Sequence, residues 1–350
     1  MKKNIRILDI ALKAGVSIGT VDRVLHNRGE VSTETRDRIL KIIQDSDYRP
    51  NILASSLASK KIITIASLTP KASGKDSFWA KPQEGIEKAV EEMYQYGIRL
   101  QAYHFKMEDP ASFTREADKL LASTPDGILL APWGKRESLQ FTQLLDERSL
   151  PYVFIDSNLS EANPISFIVQ DSVQSGFLAA KLIDYGIAPK SNILMIHITK
   201  DLQNANHLLQ RETGFLNYFE SVSQKSHRII KMEVSADDII RTASLNTSIA
   251  KVDVIDAVFV TNSKVHLVAR LFDSYEVRPK IIGYDLIPKN IDLLQHDKID
   301  FLLNQNPEKQ GFVATNILFD QLVRKEKVNK SNYTAIDIIT KENFKYYIGI

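Results

Sequence analysis

Apolar residues in the first 45 positions recur at helical spacing. Ile7, Ile10, Ala11 and Ala14 fall three and four apart, so they line one face of a short helix that begins after the basic pair Lys2 and Lys3. Gly15 breaks the pattern, Val16 is placed to plug a turn, and Ser17 can cap a second helix with its hydroxyl. Val21, Val24 and Leu25 then resume the apolar spacing. Two helices crossing at a glycine turn bury little, so a third element is required. Residues 32–44 supply it, with Ile39, Ile42 and Ile43 on the apolar face; Ser32 and Thr35 form a partial capping box, Thr standing where Glu or Gln would complete it. Three helices of this size make the smallest unit that presents one helix, here residues 17–25, to a DNA major groove.

Residues 50–61 also have helical spacing. Pro50 suits a first helical turn, Ala54 and Leu57 share a face, and Lys60 and Lys61 close the segment, which by itself reads as a solvated linker. Beyond Lys61 the period changes. Apolar runs at 62–68, 98–105, 127–130 and 152–155 alternate with amphipathic helices at 82–96, 112–121 and 138–148. A second series places strands at 192–198, 229–234, 257–260 and 280–283, and helices at 211–221, 238–250 and 264–273. A tail helix at 310–323 and a strand-like segment at 335–339 must each return to one lobe. This alternation predicts an α/β body: doubly wound parallel sheets in two lobes of similar size. Ligands sit beyond the carboxyl ends of such strands, so two facing lobes make a clamshell.

Length and composition narrow the chemistry. A chain of 350 residues allows two or three units, and 43% apolar with 25% charged residues is ordinary for a folded protein. With no cysteine, disulfides, thiolate nucleophiles and Cys-based metal sites are excluded. The seven histidines are scattered away from metal-ligand spacing, no G-x-S-x-G elbow occurs, and Gly74 and Gly85 are isolated rather than part of a phosphate loop. No enzyme, metal site or cofactor is expected. The start of the chain is polar, without an apolar signal core, and no run of about eighteen apolar residues occurs, so a cytoplasmic protein with no membrane partner is expected. The net charge of +2 is unevenly spread: residues 1–61 hold twelve Lys and Arg against seven Asp and Glu, a balance of +5 that leaves −3 for the remainder. A basic head on a mildly acidic body suggests a polyanion as partner of the head.

In a groove-docking helix of this kind, Ile18 offers an apolar contact, as to a thymine methyl, and Gly19 only backbone. Arg23 and His26 are the polar readers, with Ser17 and Thr20 suited to phosphates. Asp22 either accepts from a cytosine amino group, pairs with a neighbouring Arg, or points away. In the body, the polar and aromatic residues just past strand ends are Phe78, Trp79, Trp133, Asp156, Asp171, Arg211, Asn262, Asp285 and Gln305. Aromatic rings stack on sugar faces, while carboxylates, Arg, Asn and Gln serve hydroxyls. Phe78 and Trp79 equally suit rim packing, Trp133 a core, and Asp156 and Asp171 helix caps.

The head resembles the LacI family of bacterial transcription regulators. Asp9, Ile10, Ala11, Ala14, Gly15, Val16, Ser17, Thr20, Val21, Arg23, Val24 and Leu25 meet the family's D-I/V-A-x-x-A-G-V-S-x-x-T-V-S-R-V-L-N pattern. Val31, Ser32, Thr35, Arg36, Ile39, Tyr48, Pro50, Asn51, Ala54 and Leu57 meet the tract that follows. In the body, Asp171, Gly176, Ala179, Ala180 and Leu182, then Arg211, Gly214 and Phe215, then Ile281 to Asp285, and finally Gln305, Asn306, Pro307, Gln310 and Gly311 resemble family motifs more loosely. Departures are Asp22 for the usual Ser, His26 for Asn, Ile168 for Val, and Asn262-Ser263 where Asn-Asp is common.

The resemblance implies a type I periplasmic-binding-protein-like body on a helix-turn-helix head. The head spans 1–49, a hinge helix 50–61, and the effector domain 62–350, with one lobe at about 62–186 and 307–334 and the other at about 187–306 and 335–350. It implies a DNA-binding set of Ser17, Ile18, Gly19, Thr20, Arg23, His26, Asn27, Thr35, Asn51, Ala54 and Leu57, the last wedging into the minor groove. It implies an effector set of Phe78, Trp79, Asp156, Asp171, Arg211, Asn262, Asp285 and Gln305. The expected protein is a homodimeric repressor on double-stranded operator DNA, controlled by a small-molecule effector, a sugar or sugar derivative. First-lobe helices such as 82–96 supply the dimer contact; without a leucine heptad after the last strand, a dimer is expected over a tetramer. The rivals are a sugar-binding protein of a transport system, which would need a signal peptide, and a sugar-processing enzyme with an accessory head.

Overall fold

The computed structural model describes residues 5–25, 28–46, 48, 62–74, 77–200, 202, 205–240 and 254–348. The chain divides into two compact units, one holding residues to Lys61 with the short stretch Gln95–Gly97, the other holding the rest.

The first unit has three helices, α1 (Ile7–Ala14), α2 (Ile18–Leu25) and α3 (Thr33–Asp45). Gly15 ends α1 in the left-handed region at φ 65°, where a side chain would be strained. Ser17 then caps α2 by accepting from the Thr20 amide at 3.2 Å, and Ser32 caps α3 by accepting from the Thr35 amide at 3.4 Å. Ile10, Ala11, Ala14, Val21, Val24 and Ile39 close over one another as the core, with Ile42 and Ile43 packed on it. Both caps and the apolar faces follow the spacing read from the sequence.

The second unit is two six-stranded sheets. The first contains β1 (Ile63–Pro70), β2 (Ile98–Phe105), β3 (Gly127–Leu130), β4 (Tyr152–Ile155), β5 (Ser166–Gln170) and β11 (Ser331–Thr334), in spatial order 11-5-4-3-1-2. The second contains β6 (Asn192–Ile198), β7 (Arg228–Val234), β8 (Ala257–Val260), β9 (Lys280–Tyr284), β10 (Phe301–Asn304) and β12 (Asp337–Ile339), in order 12-10-9-8-6-7. All pairings are parallel except β10 with β12. The central strands are buried on both faces, which is why they read as unbroken apolar runs. The two sheets repeat one plan: Asp126 accepts from the Thr64 amide at 2.8 Å in the first, and Asp256 from the Asn192 amide at 2.7 Å in the second.

Helices cover the sheets: α4 (Ala80–Glu92), α5 (Pro110–Ala122), α6 (Lys135–Glu147), α7 (Ser172–Gly186), α8 (Asn206–Ser221), α9 (Ala236–Ile240), α10 (Val265–Ala269), α11 (Pro288–Gln295), α12 (Pro307–Phe319) and α13 (Lys345–Ile348). In each lobe two helices cross at paired glycines. A Cβ on Gly85 of α4 would lie 1.9 Å from the Glu308 carbonyl oxygen, and one on Gly311 of α12 2.1 Å from that of Pro82. The same holds for Gly176 of α7 against Arg211 at 2.0 Å and Gly214 of α8 against Val173 at 1.8 Å. Only glycine permits these backbone contacts.

Several elements differ from the sequence reading. The tail strand expected at 335–339 is the shorter β12, and an unforeseen strand, β11, precedes it in the other sheet, because the chain changes sheet between Thr334 and Asp337. Helix α7, which the expected division gives to the first lobe, packs Ala179, Ala180 and Ile183 into the core of the second sheet with Ile193, Phe215 and Phe259. The helix expected at 82–96 stops at Glu92 and is followed by a 3-10 turn; that expected at 310–323 starts at Pro307 and ends in a π turn, Asp320–Arg324. Of the helix expected at 238–250, Ala236–Ile240 is seen and residues 241–250 lie outside the described residues.

Candidate functional site

On the head, Ser17, Ile18, Gly19 and Arg23 are exposed along one face of α2, opposite buried Val21 and Val24, with Thr20 half-buried beside them. Ile18 is 45% exposed, comparable with Leu8 on α1 at 41%. The Ser17 and Thr20 hydroxyls lie 3.0 Å apart, and Ser32 donates to the Thr35 hydroxyl at 2.9 Å, so these groups build the caps as well as facing outward. His26, Asn27, Asn51, Ala54 and Leu57 lie outside the described residues.

The body converges three of the expected residues through direct hydrogen bonds. Arg211, 1% exposed, projects from α8 with its backbone pressed against Gly176. Its guanidinium donates to the Thr261 carbonyl at 2.7 Å and to Gln305 Oε1 at 2.6 Å, and lies 3.7 Å above the Tyr284 ring. Gln305 in turn donates to Asp285 Oδ2 at 2.8 Å. Asp285 and Asp156 hold equivalent places, each the first residue past a strand (β9 and β4) and each at φ 68°.

Electrostatics ties the pair together. Burial pushes the Asp285 carboxyl up to about 7, with the Asp156 charge adding to it and Arg211 and Gln305 opposing. Asp156 is pushed up to about 6 by burial, against the Arg211 charge. One guanidinium therefore serves two carboxyl groups contributed by different lobes. The Asp156 amide donates to Gln310 Oε1 at 2.9 Å, and Gln310 donates to the Gln305 carbonyl at 3.1 Å, so these residues share a scaffold. That scaffold stands at the crossovers between sheets: the Gln170 amide group donates to the Asn304 carbonyl at 2.9 Å and the Ala335 carbonyl at 3.2 Å, and Thr334 donates to the Gln305 carbonyl at 3.1 Å.

The other expected residues have local duties. Asp171 caps α7 by accepting from the Gln174 amide at 2.9 Å. Asn262 braces the turn after β8, donating to the Ile198 carbonyl at 2.9 Å and accepting from the Lys264 amide at 3.1 Å. Phe78 and Trp79 pack edge to face at 5.2 Å and are half-buried. Trp133 lies 6.3 Å from the Phe105 ring and packs on the first-lobe core. Residues that the sequence reading left unassigned include His207, one turn before Arg211 on the same helix face, whose imidazole burial and the Arg211 charge push down to about 3, so it is neutral. The i, i+4 spacing to Arg211 was the available signal. Among the described residues, no group of three or more His, Cys, Asp and Glu could hold a metal ion, and no helix is long and apolar enough to cross a membrane.

A helix-turn-helix unit and a two-lobed body, with polar and charged groups converging at the strand ends, define a binding protein with a helical head. Residues 65–327 match the periplasmic binding protein domain family, and residues 6–51 match the lacI family of bacterial regulatory proteins. The chain belongs to the lacI family, with a periplasmic binding protein domain as its body. The HTH-type transcriptional regulator DegA of Bacillus subtilis is 30% identical over 177 residues, 50% of each chain. Catabolite control protein A of Priestia megaterium is 31% identical over 184 residues, 52% of this chain and 53% of that one. The chain thus spans about half the length of the curated relatives it matches. A solved Bacteroides fragilis protein, provisionally assigned as a LacI transcriptional regulator, is 30% identical with a TM-score of 0.77, covering 82% of this chain and 100% of that one. GanP, a glucose-galactose binding protein from Geobacillus stearothermophilus, shares the fold at 22% identity and a TM-score of 0.71, over 81% of this chain and 99% of that one.

Proposed function

We propose that the protein is a sequence-specific DNA-binding transcription regulator, a repressor, whose operator affinity is set by a small polar effector of the sugar class held between the two lobes. The observation that carries this reading is the union in one chain of a lacI-type head, exposing Ser17, Ile18, Gly19 and Arg23, with a cleft where Arg211, Gln305 and Asp285 meet. Carboxyl groups from both lobes suit hydroxyls on both sides of a flat ligand, so ligand binding favours closure. The protein acts in the cytoplasm as a homodimer, placing two α2 helices about one helical turn apart on a near-palindromic operator. The coupling is reciprocal: whatever factor the effector imposes on DNA affinity, DNA imposes on effector affinity. A transport solute-binding protein would share the body but has no use for the head. The relatives are regulators, and no catalytic role is assigned to the cleft.

The test is selection of bound fragments from random DNA by the full chain across a salt series, followed by D-glucose, D-galactose, D-ribose, D-xylose and D-arabinose added to the selected complex. An enriched near-palindrome, a steep salt dependence and a shift in affinity with a sugar are expected. Sequence-blind binding at every salt, with or without sugar, would overturn the reading.

A further inference from the structure

Arg211 and Glu212 are consecutive on α8, and both lead to Thr261, Arg211 directly and Glu212 through His197. Arg211 donates to the Thr261 carbonyl at 2.7 Å. Glu212 Oε2 lies 2.8 Å from His197 Nε2, and His197 Nδ1 lies 2.9 Å from the Thr261 hydroxyl. The four residues form a closed ring in which Thr261 is gripped at both its carbonyl and its hydroxyl. The proton positions follow from the chemistry. Glu212 is ionised: burial raises its carboxyl, but the Lys231 hydrogen bond and charge outweigh this and hold it below the usual range. A carboxylate only accepts, so His197 carries its proton on Nε2. His197 is 2% exposed and burial lowers it against the pull of Glu212, so the ring is neutral and Nδ1 accepts the Thr261 hydroxyl proton. The rival acceptor for that proton, the Ile196 carbonyl, is farther away at 3.3 Å.

Arg211's other bond runs to Gln305, which stands at a crossover between sheets and shares in any motion of the lobes. Thr261, just past β8, is therefore the fixed anchor. We propose that His197 and Glu212 are a positioning pair: acting through Thr261, they hold the Arg211 guanidinium in its ligand-facing pose without touching the ligand. The significance for ligand affinity rests on the reading of this cleft as the effector site; the positioning itself does not.

The test uses the full chain labelled with ¹⁵N in histidine and arginine, at pH 7, without sugar or DNA. Wild type is expected to show His197 as the Nε2–H tautomer and slowly exchanging Arg211 guanidinium protons, assigned by their loss in R211K. In E212Q, His197 is expected to become a mixture of tautomers. In both E212Q and T261V, the Arg211 protons are expected to shift and exchange at least tenfold faster, whereas T261S, which keeps the hydroxyl, retains the wild-type signals. Unchanged Arg211 signals in E212Q and T261V, or wild-type His197 carrying its proton on Nδ1, would overturn the proposal. If neither variant folds, K231M, which removes the half-exposed lysine that bonds to Glu212 from outside the ring, is expected to move Arg211 the same way, and an unmoved Arg211 counts against the pair. With a sugar that releases operator, the half-effect concentration is expected to rise about tenfold in T261V, the equivalent of about one hydrogen bond. Failure of every sugar with the magnetic resonance result intact would count against the effector reading alone.

Discussion

Gly176→Ala tests whether the α7–α8 crossing places Arg211. An alanine Cβ would lie 2.0 Å from the Arg211 carbonyl oxygen and 2.7 Å from its carbonyl carbon, where ordinary contact begins at 3.4 Å. The obstacle is backbone, so no rotamer relieves it and the helices must part by about 1.4 Å, an overpacking defect of about 1–3 kcal/mol. The upper end applies because two buried helices move together; alanine's greater helix preference returns about 1 kcal/mol. The net is about 2 kcal/mol, or about 3–4 °C in melting temperature for a body of about 290 residues. Gly186→Ala is the control, since its nearest neighbour is Lys280 Cγ at 3.7 Å, and it should be neutral or slightly stabilising. Thermal melting of the three proteins side by side decides the matter. If Gly176→Ala melts with Gly186→Ala, the crossing is not rigid and the argument that it fixes Arg211 fails.

Asp285→Asn should flatten the dependence of stability on pH. A carboxyl raised from 3.8 to about 7 by burial favours folding most when protonated, so its contribution is full below about pH 4 and is lost as pH rises towards 7; urea midpoints that fall equally in both proteins over that window would refute it. Arg23→Ala should weaken specific operator binding and leave sugar affinity unaltered, measured by fluorescence anisotropy and calorimetry. An unchanged operator affinity would remove Arg23 from the reading face. Ser17→Ala removes the cap on α2 and should cost about 1 kcal/mol in the head, read as faster amide exchange of Thr20 and Val21; unchanged exchange would mean that the cap is idle.

Short, fully buried strands were the most legible part of the body. The strands at 127–130, 152–155 and 257–260 stand where the apolar runs placed them, because a strand covered on both faces has no polar interruption. Strand β11 (SNYT) is polar and lies at the edge of its sheet, so it carries no such signal. Helix α7 was visible only as a motif, since its mixed Ala, Ser and Gly face fits a close crossing rather than a broad apolar stripe.

The sequence by itself determined the three-helix head, from helical spacing, Gly15 and the two serine caps, and the two-lobed parallel plan, from the alternation of periods. These are local properties, decided within a few turns of chain. It also nominated Arg211, Asp285 and Gln305, because residues past strand ends collect at one rim. What only the tertiary structure decided was which nominees meet. Asp171 faces its own helix and Asn262 its own turn, while Asp156 is linked to Asp285 through the charge of Arg211 across two lobes. His197, Glu212 and Thr261 close a ring between residues as many as 64 positions apart, and Gln170 reaches a carbonyl 165 positions away. No spacing rule encodes such contacts: their partners are brought together by the order of strands in the sheets.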